Sequence, residues 1–122
     1  MRKIFLALSL VMAMTASAKT ALVVIAHGSP MASWRQPVLA LEQKVDSIVK
    51  KQGLKDISYV RVAMMEYTEP AVASVIKDCE AQGADTIFAV PLFIAPSSHS
   101  EEDLPNILNL KFTPEVREEL AE

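Results

Sequence analysis

Three apolar runs, each too short for a helix and each broken by a loop of reactive side chains, set the tightest limit on how this chain can fold. ALVVIA at 21–26, ISYVRVAMM at 57–65 and TIFAVPLF at 86–93 carry β-branched and aromatic residues without a helical period, so they read as strands. The first is apolar throughout, as a strand covered on both faces must be, and the apolar run through Phe93 into PLFIAP reads as the carboxyl end of another buried strand. Pro91 cannot donate to a ladder, so it marks a strand end or a bulge. Between the runs the period changes. A helix starts between Ala32 and Pro37, places Val38, Leu41, Val45, Ile48 and Val49 on one face, and stops at Gly53. A second places Val72, Val75, Ile76 and Cys79 at i, i+3, i+4 and i+7 and stops at Gly83. Strand–helix alternation with short connections predicts an α/β open parallel sheet, with right-handed crossovers and helices on both faces.

Ligands bind such a sheet beyond the carboxyl ends of its strands. His27 follows the first strand, Glu66 the second, and His99, in the loop PSSHSEEDLP, the third. These are the only two histidines in the chain, and both fall at the same edge. With neighbouring strands about 4.8 Å apart, the three side chains can surround one small ion. Two imidazoles and a carboxylate suit a divalent first-row metal with open positions for exchange. Ser29 and Ser98 place hydroxyls beside the histidines, but no G-x-S-x-G elbow presents a nucleophile. With three glycines in all, no phosphate-cradling loop is present. Ser100 and Asp103 have the spacing of a capping box, with Glu101 and Glu102 in the first turn behind it. Trp34 stands just ahead of the first helical face, where it closes the helix end or lines a pocket; packing is the expectation. Cys79, alone in the chain, reads as a small buried hydrophobe.

The segment before the first strand belongs to targeting. Arg2 and Lys3, the apolar stretch Ile4 to Met14 and the small-x-small Ala16-Ser17-Ala18 form a signal-peptide pattern. The expected organisation is a signal peptide at 1–18 and one domain at 19–122, placed in the periplasm or secreted, with no membrane association after cleavage. Without Arg2 and Lys3, ten basic residues face fifteen acidic ones, a formal charge of −5. That charge carries no basic stripe for nucleic acid.

IAHGSP after the first strand, VAMMEYTEP after the second and GADTIFAVPLFIAPSSHSEEDLP around the third together resemble the CbiX-type sirohydrochlorin cobaltochelatases, relatives of the class II chelatases. The resemblance spans about Thr20 to Leu108. It implies that His27 and His99 bind the metal, that Glu66 joins them in catalysis, and that Glu102, the acid of the H-x-x-E-D segment, meets substrate along with Ser29 and Ser98. The implied reaction is insertion of Co2+, or of Fe2+ or Ni2+, into sirohydrochlorin or a related tetrapyrrole, the metal being substrate rather than resident cofactor. The family fold continues to a fourth strand. The domain at 19–122 is therefore expected to lack its final strand, as a truncated lobe or as one half of a homodimer. The competing function is a periplasmic metal- or tetrapyrrole-binding protein that does not catalyse insertion.

Overall fold

The computed structural model describes residues 17–122; the signal-peptide reading falls almost wholly outside them. Three parallel strands, β1 (Thr20–Ala26), β2 (Tyr59–Met64) and β3 (Thr86–Pro91), form one sheet in the order β2-β1-β3. The register aligns Leu22 with Val60 on one side and with Phe88 on the other. Helices α1 (Ala32–Leu39) and α2 (Leu41–Lys51) connect β1 to β2, and α3 (Val72–Ala81) connects β2 to β3. After β3 a π-helical turn at His99–Asp103 runs into the short α4 (Leu104–Ile107), and α5 (Pro114–Glu119) follows.

The apolar character of β1 on both faces follows from what covers each face. Ala21, Val23 and Ile25 pack with Ala63, Val72, Val75, Cys79 and Leu104, so α3 and α4 lie on that side. Val24 and Ala26 pack with Val62 and Met64 against Val38, Leu39 and Leu41, which belong to α1 and α2. Side chains alternate across a strand, and here both sets need an apolar partner. Cys79 is fully buried in the first cluster, as a small hydrophobe.

The helix expected as one piece is two. Pro37 lies inside α1, where it offers no N–H to the ladder, and the chain turns at Ala40 before α2 begins. Pro91 is the last residue of β3, one of the two places its missing N–H allows.

The third strand departs from the expectation of a buried run. Its inner face meets the α3 cluster through Ile87 and Ala89, but Phe88 and Val90 are 54% and 45% exposed. The reason is position. β3 is an edge strand, and α1 and α2 pack over β1 and β2. The opposite edge is better closed: the Glu42 carboxylate on α2 accepts from the Val62 N–H at 2.9 Å, and the Met64 N–H donates to the Pro70 carbonyl at 2.7 Å.

Candidate metal centre at the carboxyl edge

With β1 central, His27 comes out between the loop after β2 and the loop after β3. The ladder carries on past the strands: the Met65 N–H donates to the Ala26 carbonyl and the Glu66 N–H to the His27 carbonyl, each at 2.8 Å. This ties Glu66 to His27 through backbone before any side chain acts. The close approach needs Gly28, at φ +102°, because a Cβ there would stand 2.1 Å from the Glu66 carbonyl oxygen. Arg35 pins the same loop by donating to the carbonyls of Ser29 at 3.1 Å and Pro30 at 2.5 Å.

His27, Glu66 and His99 each offer a ligand atom, and these atoms all lie within 4.8 Å of one another. His27 Nε2 faces the Glu66 carboxylate at 3.6 Å, outside hydrogen-bond range. The two imidazole centroids are 4.9 Å apart at 67°. The Nδ1 of His27 lies 3.1 Å from the Gly28 carbonyl, and the Nδ1 of His99 lies 2.6 Å from Asp103 Oδ2, so each ring keeps its Nε2 free. Bonds of about 2.0–2.2 Å to an ion place tetrahedral ligand atoms about 3.4 Å apart. The group must therefore draw in by about 1 Å around an ion, a movement that half-exposed side chains can make by torsion.

The other expected site residues are placed differently. Ser29 is half-buried beside His27, and its hydroxyl accepts from the Met31 N–H at 3.1 Å. Ser98 is exposed ahead of His99 and makes no capping bond with its side chain. Glu102 is not among the three clustered groups; both its oxygens bond Lys111 Nζ at 2.5 Å. The capping-box reading of Ser100 and Asp103 gives way. The Ser100 hydroxyl instead closes on the Ser97 backbone, accepting from its N–H at 2.9 Å and donating to its carbonyl at 3.1 Å, while Asp103 turns to His99.

Trp34, expected to serve packing, lines a cavity of about 330 Å³ with His27, Leu92, Phe93, Ile94, Ala95 and Ser97. Tyr67, next to Glu66, holds a left-handed backbone at φ 70°, and its exposed ring lies 5.8 Å from the His27 ring. Such a conformation is uncommon for a bulky residue. Local pattern does not mark Tyr67; for Trp34 it leaves pocket lining as the alternative to packing, and the cavity takes that alternative. Asp103 had a visible signal, the i,i+4 spacing from His99, which the nearby serine and acids obscured.

A parallel α/β sheet whose carboxyl edge gathers two imidazoles and a carboxylate beside an apolar cavity defines a class, the open-sheet α/β proteins with a candidate ligand site at the point where the strand order reverses. Within that class the chain belongs to the CbiX family, whose model matches residues 21–122. A sirohydrochlorin cobaltochelatase from Methanococcus maripaludis is 36% identical over 90 residues, covering 74% of this chain and 58% of the relative. One from Methanopyrus kandleri is 35% identical over 91 residues, covering 75% and 59%. The chain thus spans a little under three-fifths of the length of these relatives. The crystal structure of the sirohydrochlorin chelatase SirB from Bacillus subtilis subspecies spizizenii in complex with cobalt superposes with a TM-score of 0.66, at 24% identity, over 75% of this chain and 37% of that one. That likeness establishes the fold. Among the described residues no helix is long and apolar enough to cross a membrane.

Proposed function

We propose that this chain carries the metal-handling site of a tetrapyrrole chelatase that inserts Co2+ into sirohydrochlorin. The observation that carries the reading is the convergence of His27, Glu66 and His99 within 4.8 Å, with His27 also lining the cavity shared with Trp34, Leu92 and Ile94. Imidazole and carboxylate hold a first-row divalent ion by exchangeable bonds, and the apolar wall suits a flat macrocycle. Insertion exchanges those bonds for four bonds to pyrrole nitrogens and releases two pyrrole protons. Glu66, which faces the His27 ring at 3.6 Å, would accept one of them, and the other would pass to solvent. Ser29 and Ser98 flank the two histidines at the rim, where polar edges of the macrocycle would meet them. Glu102 would have to leave Lys111 to do the same. The names of the curated relatives favour cobalt as the metal; Fe2+ and Ni2+ suit the same donors.

Two further parts of the reading concern setting. Residues 1–18 are proposed to direct export, and fractionation of cells expressing the full chain tests this by locating the product. The open face of β3 is proposed to be covered in the working assembly by a second copy or a second lobe. Sedimentation of the purified chain as a dimer supports the former; sedimentation as a monomer overturns it.

The test of function mixes purified protein with Co2+ and sirohydrochlorin and follows the visible spectrum against the spontaneous rate. Wild type is expected to accelerate metallation, and His27→Ala and His99→Ala to abolish the acceleration and weaken Co2+ binding. Glu66→Gln is expected to lower turnover more than affinity. Full rates in both histidine variants overturn the site. Binding without acceleration by the wild type replaces insertion with a carrier role.

A further inference from the structure

The π-helical turn after β3 places three consecutive acids within reach of a site that uses histidine, and they go to three different places. Glu101 is exposed, Glu102 is held by Lys111, and Asp103 alone meets the imidazole, with Oδ2 2.6 Å from His99 Nδ1. We propose that Asp103 is a positioning residue: it holds the neutral His99 ring in its Nδ1–H tautomer and so turns an unprotonated Nε2 toward His27 and Glu66. The inference rests on the metal-site reading above and deepens it.

Three observations support it. The contact spans i,i+4 within a turn that is π-helical from His99 to Asp103, and single π turns recur where a helix must aim functional side chains. Asp103 is the less exposed partner, with its side chain 19% accessible against 36% for His99, so its carboxylate is the fixed point and the ring the aligned one. Next to it, Leu104 is buried in the main core cluster, which anchors the turn. His27 reaches the same end by another route, its Nδ1 facing the Gly28 carbonyl at 3.1 Å. A donor to a carbonyl or carboxylate must carry its proton on Nδ1, so both rings present Nε2 as the lone pair.

The experiment reads the ring directly and without metal. In ¹⁵N-labelled apo protein, at a pH where the rings are neutral, long-range ¹H–¹⁵N correlations assign each tautomer. Wild-type His99 is expected to be Nδ1–H. Asp103→Ala is expected to move it to the Nε2–H form while His27 stays as it was, which separates a local effect from unfolding. A Co2+ titration of the same variant is expected to show affinity lower by about 10–100-fold. Asp103→Asn, whose side-chain carbonyl can still accept from Nδ1–H, is expected to keep the tautomer and recover most of the affinity. An Nε2–H tautomer in the wild type overturns the proposal, as does an unchanged tautomer in Asp103→Ala. Full Co2+ affinity in Asp103→Ala, when His99→Ala has lost it, also overturns it. If the tautomers behave as expected but His99→Ala binds Co2+ like wild type, the metal-site reading fails and the control of the ring by Asp103 stands.

Discussion

Replacing Gly28 by alanine tests how the site is built, because two separable costs meet at that position. The first is conformational. Gly28 sits at φ +102°, and a residue with a Cβ in left-handed backbone loses about 1–2 kcal/mol. The second is spatial. The new methyl would lie 2.1 Å from the Glu66 carbonyl oxygen and 3.2 Å from its backbone nitrogen, so the His27–Glu66 connection must open by about 1 Å to reach ordinary contact. Forcing a well-packed region apart adds about 1–3 kcal/mol. The expected total is about 2–5 kcal/mol, which in a domain of this size lowers Tm by roughly 10–25 °C. Gly53 supplies the control: it has φ +67°, but a Cβ added there would meet nothing within 4 Å, so Gly53→Ala carries the first cost alone, about 1–2 kcal/mol. Thermal melts of both variants, with Co2+ titration of whichever remains folded at about 20 °C, well below the usual melting range of such domains, measure the difference. Gly28→Ala is expected to melt well below Gly53→Ala and to bind Co2+ at least about tenfold more weakly, as when a ligand's support is displaced. Equal melting of the two variants, with unchanged Co2+ affinity in both, would refute the claim that contact between Gly28 and Glu66 shapes the site.

Two other positions give sharp expectations. Asn106 is 2% exposed; its amide donates to the Glu102 carbonyl at 2.8 Å, and its side-chain oxygen accepts from the Thr113 N–H at 2.8 Å. Asn106→Ala removes the partner of two part-buried backbone groups and is expected to cost about 1–3 kcal/mol, with hydrogen exchange rising first in α5; an unchanged melt would contradict this. Glu102→Gln removes a half-exposed pair with Lys111 and is expected to change stability by less than about 1 kcal/mol and leave Co2+ affinity intact, since Glu102 is not among the clustered donors. A loss of Co2+ affinity in that variant would place Glu102 among the ligands.

Local pattern carried the architecture far. The continuous apolar run of the first strand and the period-3.6 spacing of Val72, Val75 and Cys79 pointed to the main core, because burial there depends mostly on the element's own apolar pattern. The rule that loops at strand carboxyl ends share one edge sufficed to group His27, Glu66 and His99. What local pattern missed involved a choice among neighbours. Asp103 and Glu102 are adjacent acids on one turn; one faces His99 and the other Lys111. Trp34 precedes the apolar face of its helix and turns to the cavity by His27.

Short-range periodicity and chain-breaking residues suffice for the class of fold, the strands and helices, and the three loops that carry the candidate site residues. Tertiary packing gave the strand order β2-β1-β3, which sets His27 between Glu66 and His99. It also decided that β3 keeps one apolar face open, because the cover over a strand comes from helices distant in sequence. The gap among the three donors was settled there too. It depends on backbone contacts such as that of Gly28 with Glu66, which join residues 38 positions apart.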